Sequence, residues 1–386
     1  MPPPSSDALA HSNACAAHIR EAIVAAGGQI SFSDFMNLVL YAPGLGYYAA
    51  GAKKFGADGD FVTAPEISDL FGQCIARAIA STITQTKGSV LELGPGSGKL
   101  AWDVLLALDA LNCLPEKYYL LEVSADLAQR QRQRLMALPA HLSSRLEWLD
   151  ALTTGFSGAI IANEVLDVLP VHIVRMSEAN TTLRGVENTA TGFGWCDLSV
   201  SAEHAEIIAA AQSLKQLHLT QPQSPSYETE ICPQAQSWVA SLAQCLSSGA
   251  ILLIDYGFRA AEYYHPSRST GTLMCHYRHF AHTDPFYLPG LQDITAHVDF
   301  SAVAKAGTDA GLMLCGYTTQ AQFLIHAGLL DIAQQGGDTL GMLGRSAEIQ
   351  RLVSPAEMGE FFKVIGFSKN CDAALEVFDK VRPLTL

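Results

Sequence analysis

The sequence predicts an α/β fold with a Rossmann-like, mainly parallel sheet, and two observations carry that expectation. From Ser89 onward, short β-rich runs alternate with helical stretches. Within VLELGPGSGKL, Val90 to Leu100, a strand, a glycine cluster and a helix start follow one another directly. Alternation with connections this short favours right-handed βαβ units, because a twisted strand followed by a helix packs back onto its sheet only in that hand. At roughly 150 residues per domain, the 386 residues make about two domains, or one enlarged by insertions.

Residues 1–87 read as an N-terminal helical and lid region. Its first dozen residues, rich in Pro, Ser and Ala, look like a loose tail, and helical spacing follows around residues 14–26 and Phe32–Leu40. Tyr41–Ser68 is too rich in glycine for a regular element and too aromatic for an idle linker, which makes it a candidate lid. Ile67, Leu70, Phe71, Cys74, Ile75, Ala78, Ile79 and Ile83 then recur at three-and-four spacing, the pattern of an amphipathic helix. Thr63 and Glu66, three apart at its start, have the arrangement of a capping box.

Residues 88–170 form the first part of the sheet core, with strands at Val90–Leu93, Tyr118–Val123, Leu146–Leu149 and Ala159–Ala162. Helices are expected at about Leu100–Leu111 and Ser124–Leu138. Residues 171–229 break the rhythm and read as an inserted α+β subdomain: strand-like runs His172–Met176, Thr182–Val186 and Phe193–Leu198, a helix near Ala202–Leu217, and a loop from Thr220 to Ser226. In residues 230–386 a helix, Pro233–Leu246, and a buried strand, Ile251–Ile254, return to the core pattern. A His/Tyr-rich segment, the run DITAHVDF (Asp293–Phe300) and mainly helical sequence complete the chain.

Composition narrows the function. With 24 Lys+Arg against 38 Asp+Glu, the net charge of −14 disfavours nucleic acid, whose phosphates need a basic face. An apolar content of 49% excludes wholesale disorder. Nine scattered cysteines without a C-x-x-C read as reduced intracellular thiols, and neither they nor the twelve histidines offer metal-ligand spacing. The chain shows no signal pattern, no arginine-rich presequence and no apolar run approaching the ~18 residues of a bilayer span. The expectation is a cytoplasmic bacterial protein without membrane insertion, or a mitochondrial matrix protein if the source is eukaryotic; a homo-oligomer is compatible with all of this.

The glycine loop discriminates among cofactors. A triphosphate loop, G-x-x-x-x-G-K-[ST], fails twice, since Leu93 stands five before Gly98 and Leu100 follows Lys99. A dinucleotide loop needs G-x-G-x-x-G, whereas Gly94, Gly96 and Gly98 are spaced G-x-G-x-G with Glu92 two residues ahead. A fixed negative charge there is unfavourable to pyrophosphate and favourable to S-adenosylmethionine (SAM), which carries an ammonium and a sulfonium. Glu122, ending the next strand 24 residues beyond Gly98, is placed to accept bonds from both ribose hydroxyls. Asp150 ends the third strand, placed either to meet the adenine amino group or to cap the following turn. Asn163, Glu164 and Asp167 lie at the carboxyl edge of the fourth, and Glu230 and Asp255 end further strands. Acids converging on one edge suit a cationic acceptor such as a guanidinium, although Asp167 and Glu230 are equally placed to cap helices. His297 stands among Asp293, Thr295 and Asp299 and reads as a hydrogen-bonded structural residue; QRQRQR, Gln129–Arg134, reads as a solvated helix face.

Taken together and in order, GDFVTAPEISDLFG, LELGPGSGKL, LLEVSADL, ANEVLDVLPVH, LLIDYG, DITAHVDF and MGEFFKVI resemble the MidA-type SAM-dependent methyltransferases, over about Gly28 to Phe367. That family includes the mitochondrial complex I assembly methyltransferase. The resemblance implies a class I methyltransferase sheet with an N-terminal helical region and an insertion before the fifth strand. It implies SAM as cofactor, S-adenosylhomocysteine (SAH) as product, and methylation of a protein arginine, in the mitochondrial member on a complex I subunit. By motif, Gly94, Gly96, Gly98 and Glu122 would hold SAM; from their places on the same loop and strand ends, Glu92, Pro95, Val123, Asp150 and Asn163 are expected to join them. Gly59-Asp60-Phe61 and Thr63-Ala64-Pro65-Glu66 would cover it, and Asn163-Glu164 would face the transferred methyl; from the residues themselves, Glu164 with Glu230 is expected to orient the acceptor guanidinium. Ser97 stands where many members carry a larger residue. Two other readings stay open: a small-molecule methyltransferase, and a non-catalytic SAM-binding assembly factor.

Overall fold

The computed structural model describes residues 1–50, 63–178, 180–198, 204–216, 226–334 and 339–380. Among them the strands, in chain order, are β1 (Gln29–Ser31), β2 (Ser89–Leu93), β3 (Tyr118–Leu121), β4 (Leu146–Leu149), β5 (Phe156–Asn163), β6 (His172–Met176), β7 (Thr181–Thr189), β8 (Gly192–Leu198), β9 (Tyr227–Ile231), β10 (Leu246–Phe258), β11 (Met274–Tyr277), β12 (Phe280–His282), β13 (Asp293–Thr295), β14 (Val298–Asp299), β15 (Met313–Thr319) and β16 (Phe362–Lys369). The main sheet runs β4-β3-β2-β5-β10-β16-β15, with β14 beside the end of β10. Strands β4 to β10 are parallel, and β16 is antiparallel to both its neighbours. This is the α/β, mainly parallel sheet that the alternation predicts, in the arrangement the resemblance implies.

Both faces of the sheet are covered, which is why its central strands read as continuous apolar runs. Successive side chains of β5 point to opposite faces: Ala159 and Ile161 pack with the helices Asp69–Thr86, Lys99–Ala110 and Gln320–His326, while Ile160 and Ala162 pack with Pro233–Cys245 and Phe300–Asp309. A second sheet, β1-β7-β6-β9 with β8 on β7, is built from the insertion plus β1 of the N-terminal region. The helices Ser6–Ala25 and Phe32–Tyr41 bury Ile19, Ile23, Phe35 and Met36 against one of its faces, and Ala205–Gln216 covers the other. A three-stranded sheet, β12-β11-β13, completes the set. No helix among the described residues is long and apolar enough to cross a membrane.

Two local expectations are corrected and a third is extended. The tail is ordered into helix from Ser6, capped by the Ser5 hydroxyl accepting from the Ala8 amide, because Cys15, Ile19 and Ile23 give that helix a face to bury. The helix expected from Ile67 is broken at Ser68, whose extended backbone and hydroxyl start a new helix at Asp69; Thr63 makes no side-chain cap, so no capping box forms. The C-terminal region is mainly helical as expected, but it also supplies β15 and β16, the antiparallel edge of the main sheet, which the sequence reading did not place. A short apolar run such as FKVIGFSK cannot be assigned to strand or buried helix from periodicity alone. Its pairing with β10, from Gly249 opposite Lys369 to Tyr256 opposite Phe362, is what decides it.

Candidate active site

In an open parallel sheet, ligands bind outside the carboxyl ends of the strands, where the strand order reverses. Here the reversal lies between β2 and β5, whose connections leave in opposite directions. A cavity of about 1040 Å³ opens at that point. Its floor at one end is the glycine loop. Gly94 turns out of β2 with φ +61°, and Gly98, at φ +78°, starts the helix Lys99–Ala110. A Cβ on Gly94 would lie 2.9 Å from Val165 Cγ2, so only glycine lets the two loops approach this closely. Pro95 and Gly96 line the cavity beside Gly94, while Gly98 packs behind the loop against Gln131 and Leu135.

Two carboxylates flank the loop. Glu92 is buried, receives a 2.6 Å hydrogen bond from the Tyr118 hydroxyl, and is pushed up to about pKa 7 by desolvation, with Glu122 and Asp103 adding to the rise. Glu122 sits at the end of β3 with both oxygens oriented: Oε1 accepts from the Ser124 amide at 2.8 Å and Oε2 from Gln131 Nε2 at 3.0 Å. Beside it Val123, 77% exposed, stands at the cavity wall. Thr63 and Glu66 also line the cavity, and Glu66 is tied to the loop through the Ser97 hydroxyl and, at 3.6 Å, Arg134. Ser97 thus joins the loop to the N-terminal region. Asp150 is exposed, and its neighbours Ala151 and Leu152, not Asp150, reach the wall. Asp60 and Phe61 lie outside the described residues, as does the middle of the proposed lid, residues 51–62.

The other end of the cavity is acidic and aromatic. Asn163 and Glu164 leave β5, and Glu164 takes φ +55°, a left-handed conformation rare for a residue with a long side chain. That strain is held by its amide bonding Ile254 O at 2.9 Å, and by Asp255 Oδ2, which accepts from the amides of Val165, Leu166 and Asp167 at 3.1, 2.8 and 3.2 Å. Asn163 Nδ2 donates to Glu164 Oε1 at 3.1 Å. Desolvation, then the charge of Asp167, pushes Glu164 up to about pKa 8; Asp167 is raised to about 6 by burial, opposed by a bond from the Tyr256 hydroxyl. Burial and the charges of Asp167 and Glu164 also raise Asp255. The Tyr48 hydroxyl lies 3.0 and 3.1 Å from the two Asp293 oxygens, and Tyr41 stacks on Tyr48 at 5.7 Å.

Among the described residues, three buried polar atoms of the cavity lining have no hydrogen-bond partner: Asn163 Oδ1, Asp167 Oδ1 and His297 Nδ1. The His297 ring lies parallel to Phe258 at 5.1 Å, and desolvation with Arg268 and Lys363 lowers it to about pKa 4, so it is neutral at pH 7. Glu230 is not brought to this cavity. It is buried behind it, accepting from the Thr272 amide and hydroxyl, the Leu273 amide and the Tyr263 hydroxyl, so its carboxylate is consumed in holding the segment before β11. QRQRQR is likewise not a purely solvated face, since Gln131 is fully buried.

Comparison with known proteins decides the chemistry. The model of the Methyltransf_28 family, described as S-adenosyl-L-methionine-dependent methyltransferases, matches residues 74–318. A COG1565 superfamily member from Burkholderia thailandensis, solved bound to S-adenosyl-homocysteine, is 45% identical and superposes with a TM-score of 0.92 over 99% of this chain and 98% of that one. The mitochondrial protein arginine methyltransferase NDUFAF7 of Danio rerio is 29% identical over 91% of this chain and 87% of its own. Its Drosophila melanogaster homologue is 30% identical over 95% and 87%. The chain belongs to the MidA-type family of SAM-dependent methyltransferases.

In this methyltransferase the residues present fit the cofactor: a cradle that a Cβ would fill, an oriented carboxylate at the end of β3, and an apolar wall at Val123 and Leu152. Sequence reasoning placed Asp167 at the carboxyl edge, with a helix cap as the alternative, and Asp293 only as a neighbour of His297, and it did not single out Gln131, Tyr48 or Tyr256. The Gly/Tyr-rich stretch was the signal for Tyr41 and Tyr48. Gln131 carried no signal, because one glutamine in a run of charged and polar residues has nothing to mark it as buried.

Proposed function

We propose that this methyltransferase modifies an arginine side chain of a protein, with a respiratory complex I subunit as the target class. The observation that carries this reading is the acidic end of the cavity. Glu164, Asp167 and Asp293 line one wall, and among the described residues the groups that shift Glu164 and Asp167 include no lysine or arginine. Buried carboxylates without a cation are costly, and unpartnered acceptors at Asn163 Oδ1 and Asp167 Oδ1 add to that cost. A guanidinium answers both at once, bringing a positive charge and five N–H donors in a planar fork. The names of the mitochondrial relatives, which are protein arginine methyltransferases, agree with it.

When bound, SAM supplies an already activated methyl group. What the chain supplies is placement: Asp167 and Asn163 receive guanidinium N–H groups and hold one nitrogen toward the glycine loop. The guanidinium starts protonated and loses a proton as its nitrogen is alkylated, and Glu164, at the strained turn of β5, accepts it. The cation's own charge draws Glu164 toward the ionised form that this task needs. Tyr41 and Tyr48 close the aliphatic stem off from water. Greater likeness to a bacterial structure than to the mitochondrial relatives supports a bacterial, cytoplasmic setting.

The test is transfer of label from methyl-labelled SAM into a cell extract, followed by mass spectrometry of methylated arginines with and without this gene. A labelled protein band and a lost methylarginine site support the reading. Label confined to small molecules would replace it with a small-molecule acceptor, and SAM binding without transfer into any fraction would leave a binding protein instead of an enzyme.

A further inference from the structure

The helix Ala125–Leu135 brings one fully buried polar side chain to the back of the cofactor end, and that side chain joins three elements. Gln131 Nε2 donates to Gly96 O at 2.9 Å and to Glu122 Oε2 at 3.0 Å, and Oε1 accepts from Trp148 Nε1 at 3.0 Å. The orientation of the amide is fixed by its partners. An indole N–H can only donate and a backbone carbonyl can only accept, so the oxygen must face Trp148 and the nitrogen must face Gly96 and Glu122. Both amide protons are spent, one on the glycine loop and one on the carboxylate.

From this geometry we infer that Gln131 is a positioning residue for the cofactor ribose, acting through Glu122. Glu122 is held from two sides, by the Ser124 amide on Oε1 and by Gln131 on Oε2, which fixes the plane of its carboxylate at the end of β3. A carboxylate held in one plane accepts from a cis-diol with both oxygens, whereas a freely rotating one must be ordered on binding. The same amide fixes Gly96, so the spacing between the ribose acid and the glycine cradle is set by one side chain. Trp148, on β4, sets Gln131 in turn and is itself covered by the Arg132 guanidinium at 4.8 Å from its ring. The inference rests on Glu122 being the ribose acid, which belongs to the proposed cofactor assignment.

The experiment is calorimetric titration of the purified protein with SAH, comparing wild type, Gln131→Met, Glu122→Gln and the double variant. Methionine keeps the length and volume and removes all three hydrogen bonds. Gln131→Met is expected to weaken SAH binding by about 10-fold, the loss of a hydrogen bond to a charged group. In steady-state assays it should raise KM for SAM while kcat changes less than about threefold. Because Gln131 acts through Glu122, the double variant should bind no more than about threefold more weakly than Glu122→Gln alone. Should Gln131→Met fold poorly, Trp148→Phe, at a half-buried site, reads the same network, with a smaller loss of affinity expected. Multiplying single effects in the double variant, or wild-type affinity in both Gln131→Met and Trp148→Phe, overturns the inference while Glu122→Gln remains weak. A silent Glu122→Gln overturns the assignment of Glu122 itself, and the inference with it.

Discussion

The two ends of the cavity hold carboxylates in different ways. At the cofactor end each acid has its hydrogen bonds supplied by its surroundings: Glu92 by Tyr118, Glu122 by Ser124 and Gln131. At the acceptor end Glu164, Asp167 and Asp293 accept from Asn163, Tyr256 and Tyr48, Asp255 caps three backbone amides, and among the described residues Asn163 Oδ1 and Asp167 Oδ1 still keep no partner. A site that binds the same molecule in every cycle can be fully organised in advance. A site that receives a cationic side chain from a partner needs acceptors left for that side chain to satisfy. Val165 is the contact between the ends, since it leaves the strained turn at Glu164 and packs against Gly94.

The largest effect is expected where the two ends touch. Gly94→Val puts a branched side chain at φ +61° with its Cβ 2.9 Å from Val165 Cγ2. The strain alone is about 1–3 kcal/mol, and relieving the contact displaces the Val165 side chain, the glycine loop or the β5 turn, all of which line the cavity. Calorimetry with SAH should show no measurable binding and labelled SAM no transfer, with the far-ultraviolet circular dichroism of the wild type. Retained SAH binding would mean that the cradle does not hold the cofactor.

Substitutions within the acceptor end should separate from it. Glu164→Gln is expected to lower kcat by roughly 10²–10⁴-fold, the usual contribution of a positioned proton acceptor, and to leave SAH affinity within a few-fold of wild type. Equal losses in kcat and SAH affinity would put Glu164 in the cofactor site. Asp167→Asn should act mainly on the acceptor. Charge-assisted hydrogen bonds of about 1.5–3 kcal/mol correspond to a roughly 10- to 100-fold fall in acceptor kcat/KM, with KM for SAM unchanged. No change in acceptor KM would break the division of the cavity into two ends.

The same contrast explains what could be read from the chain. The cofactor end was legible because a strand, three glycines and two strand-end acids lie within about thirty residues, and each residue type has a single use there. The acceptor end is assembled from Tyr48, Glu164, Asp167, Tyr256 and Asp293, spread over some 245 positions, and no local spacing links them. Glu230 was misplaced for a related reason. An acid at a strand end reads the same whether it faces a cavity or a loop, and only the fold shows the amides of Thr272 and Leu273 closing over it. The antiparallel edge, β15 and β16, was hidden because long-range pairing, not local propensity, makes it strand. The parallel half of the sheet was visible because each strand there is followed at once by its helix.

Protonation offers a subtler test, with a sign that can be stated. Glu92 and Glu164 have folded-state values of about 7 and 8, above the ordinary 4.5 of a glutamate. The stability this confers is full below the unfolded value and is lost as pH rises through the folded ones. His297 works the other way, but its lowered value confines its effect to below pH 6.5. Between pH 6.5 and 8, thermal melts of the ligand-free protein should therefore decline, and SAH should restore more of the melting temperature at pH 8 than at pH 6.5. Glu164→Gln should flatten the upper part of the decline. A ligand-free melting temperature that rises across this window would show that the acceptor-end acids are ionised and compensated.

The smallest effect on turnover is expected at Glu230, and its size decides whether the wall behind the acceptor end matters for chemistry. In Glu230→Gln the new amide oxygen can still accept from Thr272 and Leu273, while its nitrogen faces the Thr272 and Tyr263 hydroxyls, both of which can accept. The loss should be about 1 kcal/mol of stability, seen as a lower denaturation midpoint, with kcat and both KM values within about threefold of wild type. One route from Glu230 to the cavity runs through Thr272, whose hydroxyl also accepts from the His297 amide at 3.1 Å. Glu230→Ala, which leaves those donors buried and unpaired, should cost more stability and shift acceptor KM before kcat. If turnover by Glu230→Gln instead fell by roughly two orders of magnitude, the scale of a lost proton acceptor, at unchanged stability, Glu230 would return to the reaction and the segment at Thr272 would have to open when the acceptor binds.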